Sequence, residues 1–71
     1  MTSEQLKEVI REGFEYMTQL RTRDSLRFNH GYSNGQIGLC VTAGLLSRED
    51  SEALYAECDE TYKKMFDKLH H

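Results

Sequence analysis

Residues 33–46 read SNGQIGLCVTAGLL and hold no charged side chain, in a chain where 30% of residues are charged. Ile37, Leu39, Cys40, Val41, Ala43, Leu45 and Leu46 are apolar, and the other positions are small or neutral. Left uncovered, such a run would be an aggregation site. It is therefore expected to be the buried central element, with the flanking segments wrapped over it. It is too short to span a bilayer, which takes roughly 20 apolar residues. Periodicity does not separate helix from strand in so short a run, but three features favour a short helix over 34–44. Ser33 and Gln36 fit a capping box, each side chain satisfying the other's backbone N–H. Gly44 suits the left-handed position that ends a helix. Leu, Ala, Cys and Gly outnumber the β-branched residues. Against this, each helical glycine costs about 1 kcal/mol relative to alanine.

The flanks are amphipathic. Over 3–23, Leu6, Ile10, Gly13, Met17 and Leu20 recur at steps of four and three, widened by Val9, Phe14 and Tyr16. Glu4, Lys7, Glu8, Arg11, Glu12 and Glu15 fall mostly elsewhere, which is the pattern of a helix with one buried face. Thr2 with Gln5 fits a capping box at its start. Gly13 on the stripe is expected to make room for a bulky residue opposite. Over 47–69, Ser47 is a good N-cap, and Glu49 and Asp50 suit the positive end of the helix dipole. Tyr55, Cys58, Tyr62, Met65 and Leu69 form the apolar stripe, and Lys63, Lys64 and Lys68 lie at the favourable C-terminal end. GLLSREDSEALYAE, across this start, resembles a junction common in small bacterial and phage helical proteins; the resemblance implies a helix start and no activity.

Residues 24–33 are polar with interleaved aromatics, and Asn29, Gly31, Asn34 and Gly35 are turn formers. They are expected to form a loop, longer than most helix–helix connections and so the most site-like stretch. The whole then reads as one all-α domain over 1–71. It is a small three-helix bundle, with two long antiparallel amphipathic helices and a short apolar helix between them.

A chain of 71 residues buries a small core, and dimerisation is a common remedy, so a homodimer is anticipated. MTSEQLKEV lacks the basic start and apolar core of a signal peptide, so a cytoplasmic protein with reduced cysteines is expected. Cys40 and Cys58 have no metal-ligand spacing and read as small buried hydrophobes. A disulfide between them, or a metal site with His30, has little support. His70 and His71 are either native or the start of a tag, and carry no assigned role. NGQIG lacks the lysine and glycine spacing of a phosphate loop. Nothing suggests a catalytic arrangement, a cofactor or a membrane segment.

What remains is the cluster Arg21, Arg23, Arg27, Phe28, His30 and Tyr32. Arginine and tyrosine are favoured in protein interfaces, and arginines beside exposed aromatics also hold phosphates and bases. The net charge of −3 disfavours nucleic acid, as do Glu49, Asp50 and Glu52 where a recognition helix would begin. The expectation is a small non-catalytic regulatory or accessory protein, such as a phage- or plasmid-type modulator, that binds another protein through this cluster. The alternative is a nucleic-acid-binding regulator that uses the same loop.

Overall fold

The structure, a computed structural model, describes residues 1–69; His70 and His71 lie outside the described residues. Three α-helices follow one another: α1 (Ser3–Met17), α2 (Arg23–Thr42) and α3 (Arg48–Lys68). They form an all-α three-helix bundle of 38 × 16 × 15 Å. Partners along the helices give the directions. Arg23 meets Phe66 and His30 meets Asp59, so α2 and α3 run antiparallel. Lys7 meets Asp50 and Arg11 meets Glu57, so α1 and α3 run parallel. The full-length antiparallel pair is therefore α2 with α3, not the first and last helices.

The expected loop over 24–33 and the short helix over 34–44 are one continuous 20-residue helix. Thr22 starts it: held extended at φ −129°, it accepts a hydrogen bond from the Ser25 backbone N–H at 3.1 Å. Asp24 adds a carboxylate in the first turn. Ser33 therefore does not cap a helix; it is buried mid-helix, 2% exposed. The first helix correspondingly ends at Met17 instead of near Arg23. Thr18 closes it, donating from Oγ1 to the Glu15 carbonyl at 2.6 Å. Other signals held. Thr2 and Gln5 form the complete capping box, and Ser47 accepts from the Asp50 N–H at 3.0 Å. Gly44 adopts φ 75°, letting the Leu45 N–H reach back to the Cys40 carbonyl at 2.8 Å.

The core is Ile10, Phe14 and Met17 from α1, Leu26, Ile37 and Cys40 from α2, and Leu54, Cys58 and Met65 from α3, with Leu46 from the connection. Each large member, fully buried, contributes about 1.5–3 kcal/mol. Val9 and Tyr16, expected to widen the buried stripe of α1, are exposed. Gly13 faces a small residue, not a bulky one: a Cβ there would sit 3.5 Å from Ser33 Oγ. Two small residues thus bring α1 and α2 together. Lys7 ties α1 to α3 by reaching Asp50 at 3.3 Å while paired with Glu4 at 2.9 Å. These hydrogen bonds to Glu4 and Asp50 hold its ammonium above the ordinary lysine value.

At Gly44 a side chain meets no obstruction, so the cost of substitution is the backbone conformation alone. Gly44→Ala is expected to lower stability by about 1 kcal/mol. Thermal melting followed by circular dichroism should show this as a fall of about 4–8 °C.

Candidate interaction surface

Because residues 24–33 are helical, their side chains fan out at about 100° per residue, and the expected cluster divides. Arg23, Arg27 and His30 turn toward α3. Phe28 and Tyr32 turn away from the bundle. Arg21 stays exposed in the connection before Thr22.

The inward group builds a polar seam along α2 and α3. The Arg23 guanidinium lies 3.9 Å from the Phe66 ring centroid, and its Nε donates to the Phe66 carbonyl at 3.2 Å. That carbonyl belongs to the last turn of α3, so Arg23 acts as a cap supplied from another helix. Arg27 pairs with Asp24 at 3.1 Å and lies 5.5 Å from the same ring. One turn further on, His30 packs on Tyr62 with ring centroids 4.3 Å apart. Its Nε2 lies 2.8 Å from Asp59 Oδ1, so that nitrogen donates to the carboxylate. It therefore has no lone pair for the Asn34 Nδ2, 3.5 Å away, and Asn34 Oδ1 is buried without a partner. Further along, Gly38 lies against the Tyr55 hydroxyl, which a Cβ would meet at 3.2 Å.

The outward group is a different surface. Phe28, Tyr32 and Leu39 are 74%, 64% and 70% exposed. Together with Gly35 they recur at steps of four, three and four along the face of α2 opposite the core. Tyr32, Gly35, Gln36 and Leu39 line a shallow depression of about 450 Å³. Nothing lies within 4 Å of where a Cβ would sit at Gly31 or Gly35, so both glycines leave a notch open to solvent. The 33–46 run, expected to be covered on most sides, is covered on one side and bare on the other. Leu39 and Gly35 are the members of this surface that the sequence argument did not single out. Their signal was the second four-three periodicity, legible once 24–33 is taken as helix.

Cys40 and Cys58 are free and buried. Burial, with a smaller contribution from Asp59, pushes the Cys58 thiol up from 9.0 to about 11. Among the described residues no three His, Cys, Asp or Glu side chains come together as a metal site. No helix there is long and apolar enough to cross a membrane. No protein-family profile, curated protein or solved structure matches this chain.

The Arg23 cap gives a measurable contribution. Arg23→Ala is expected to cost about 1–2 kcal/mol in urea unfolding and to speed hydrogen exchange in the last turn of α3. Arg23→Lys should recover part of this, because the charge is kept while the planar stack and the Nε donor are lost.

The Cys58 thiol gives a pH signature. The buried group gives up its proton only around pH 11, whereas an unfolded cysteine does so near the ordinary value of 9.0. The folded state then binds more protons between the two values. The contribution is fully present below the unfolded value and is lost as pH rises through the folded one. Relative to Cys58→Ala, the wild type should lose about 1 kcal/mol of stability per pH unit between pH 9 and 11, read from urea unfolding at each pH.

Proposed function

We propose that the protein works by binding another protein chain, and that the contact is made by the outward face of α2: Phe28, Tyr32, Gly35 and Leu39. The supporting observation is the exposure of those three large apolar side chains in one row on a single helix face. From Phe28 to Ser47 there is no Asp, Glu, Lys or Arg. Contiguous exposed apolar surface rimmed by polar residues is characteristic of interaction sites. Tyrosine and phenylalanine are the anchors such interfaces favour, while charged residues are depleted from their centres.

The contact surface so proposed keeps Phe28 and Tyr32 from the cluster first read in the sequence. It gains Gly35 and Leu39, and leaves Arg23, Arg27 and His30 to the seam with α3. Those three are held by Phe66, Asp24, Asp59 and Tyr62, which argues against a phosphate-binding role for them as a set. The role is that of a small accessory or regulatory protein acting through occupancy of a surface.

A photoactivatable amino acid placed at Tyr32 or Leu39, in cells that make the protein, should yield a discrete protein adduct on illumination. The same probe at Glu8 or Glu12, exposed on α1, should not. Absence of any protein adduct from both α2 positions would overturn the proposal.

A further inference from the structure

We propose that the chain docking on the outward face of α2 is a second copy of this protein, packed antiparallel across Gly35 to form a two-fold dimer. This deepens the reading of that face as a contact surface and rests on it.

Shape is the first support. A two-fold contact must be self-complementary, with each bulky group of one copy meeting a small group of the other. An axis through Gly35 sets position 39 of one copy level with position 31 of the other, and position 28 level with position 42. Leu39 then falls beside the notch at Gly31, and Phe28 beside Thr42. The two Gly35 residues meet at the crossing, where the absence of side chains lets the backbones approach.

Charge is the second support, and it selects the antiparallel arrangement. The end of the bundle formed by residues 18–27 and 63–68 carries Arg21, Arg23, Arg27, Lys63, Lys64 and Lys68 against Asp24 and Asp67. The opposite end, residues 1–10 and 45–52, carries Glu4, Glu8, Glu49, Asp50 and Glu52 against Lys7 and Arg48. Antiparallel copies place each basic end beside the partner's acidic end. Parallel copies would set like against like. Between the ends the face is free of carboxylates and of Lys and Arg from Phe28 onward, so the centre buries no unpaired charge.

Area is the third. Phe28, Tyr32 and Leu39 expose on the order of 400 Å² of side chain per copy. With the intervening Gly31, Gly35, Gln36 and Thr42, an isologous pair buries on the order of 1,000 Å² in total, the lower bound for a specific interface.

The test is the mass in solution of the full chain, by sedimentation equilibrium from about 1 µM to about 1 mM. The expected result is a concentration-dependent species of twice 8.3 kDa. Leu39→Glu should raise the dissociation constant roughly tenfold or more. Its helical content should be unchanged, because Leu39 is 70% exposed in the single chain and lies outside the core cluster. Val9→Glu, on α1, should dimerise as the wild type does. Register is read with cysteine: Gly35→Cys lies on the axis and should form an intermolecular disulfide under mild oxidation, while Leu39→Cys should not. Cys40 and Cys58 are buried and do not compete.

A monomer at every concentration overturns the proposal, as does a dimer indifferent to Leu39→Glu. Equal crosslinking at 35 and 39 overturns the antiparallel register. If the wild type is monomeric, the photoprobes at Tyr32 and Leu39 separate the two levels of argument. An adduct with a different protein retires the second copy and keeps the contact surface, whereas no adduct from either position retires both.

Discussion

The bundle depends on how the thin inward ridge of α2 packs against its two neighbours. The inward ridge of α2 is thin: of its buried residues, Leu26 and Ile37 are large, Cys40 is small and Ser33 carries a hydroxyl. A ridge of that volume cannot fill the space between three helices at ordinary separation, and a gap of even one methylene is felt in a packed interior. The fold closes the space in two ways. Gly13 stands against Ser33 between α1 and α2, and Gly38 leaves room on α2 for the Tyr55 hydroxyl of α3. The bulk then comes from the neighbours, as Ile10, Phe14, Met17, Leu54 and Met65 reach across. Small residues on α2 and large ones on α1 and α3 are two halves of one solution.

The seam between α2 and α3 solves a different problem. Apolar burial is non-directional and does not fix how far one helix slides along another. The directional contacts do: Arg23 with Phe66 and His30 with Asp59 and Tyr62, together with the fit of the Tyr55 hydroxyl against Gly38, run one way along α2 and the other way along α3. A slip by one turn would break all of them together. The His30–Asp59 pair is worth little by itself, since Asp59 is more than half exposed and surface pairs contribute about 0–1 kcal/mol, less than the Arg23 cap. The joint effect of these contacts is to choose one register. The unpaired Asn34 Oδ1 is the cost of placing polar groups in a partly buried seam.

The ends of the helices were more legible in the sequence than the middle of α2. Thr2–Gln5, Ser47 with its acidic pair, and Gly44 each carry a local mechanism, and each acts in the structure as that mechanism requires. Residues 24–33 misled for a physical reason. The inward stripe of α2 is Leu26, His30, Ser33, Ile37 and Cys40, spaced four, three, four and three. Two of its members are polar, so a search for apolar periodicity loses it where those two stand. Asn29, Gly31, Asn34 and Gly35 then read as turn formers, although tertiary contacts on the other face hold them helical. The cap Thr22–Ser25 was present but lay inside what looked like the tail of the first helix. Once the stretch is helical, neighbours in sequence are no longer neighbours in space, and the arginine–aromatic cluster comes apart into a seam and a surface.

Two features of α2 have no account within a single chain. Gly31 and Gly35 sit mid-helix with open space where a Cβ would be, and each costs helix stability by about 0.5–1 kcal/mol relative to alanine with no close packing in return. Phe28, Tyr32 and Leu39 stand on the same side in water, where their apolar surface contributes nothing to folding. Neither feature helps the isolated bundle, and both lie away from the core. A helix crossing at Gly35 accounts for the two together. The glycines are what allow the approach, and the large side chains flanking them are what the approach buries. In the proposed dimer the charge-free run is covered on both faces, one by α1 and α3 and the other by the second copy.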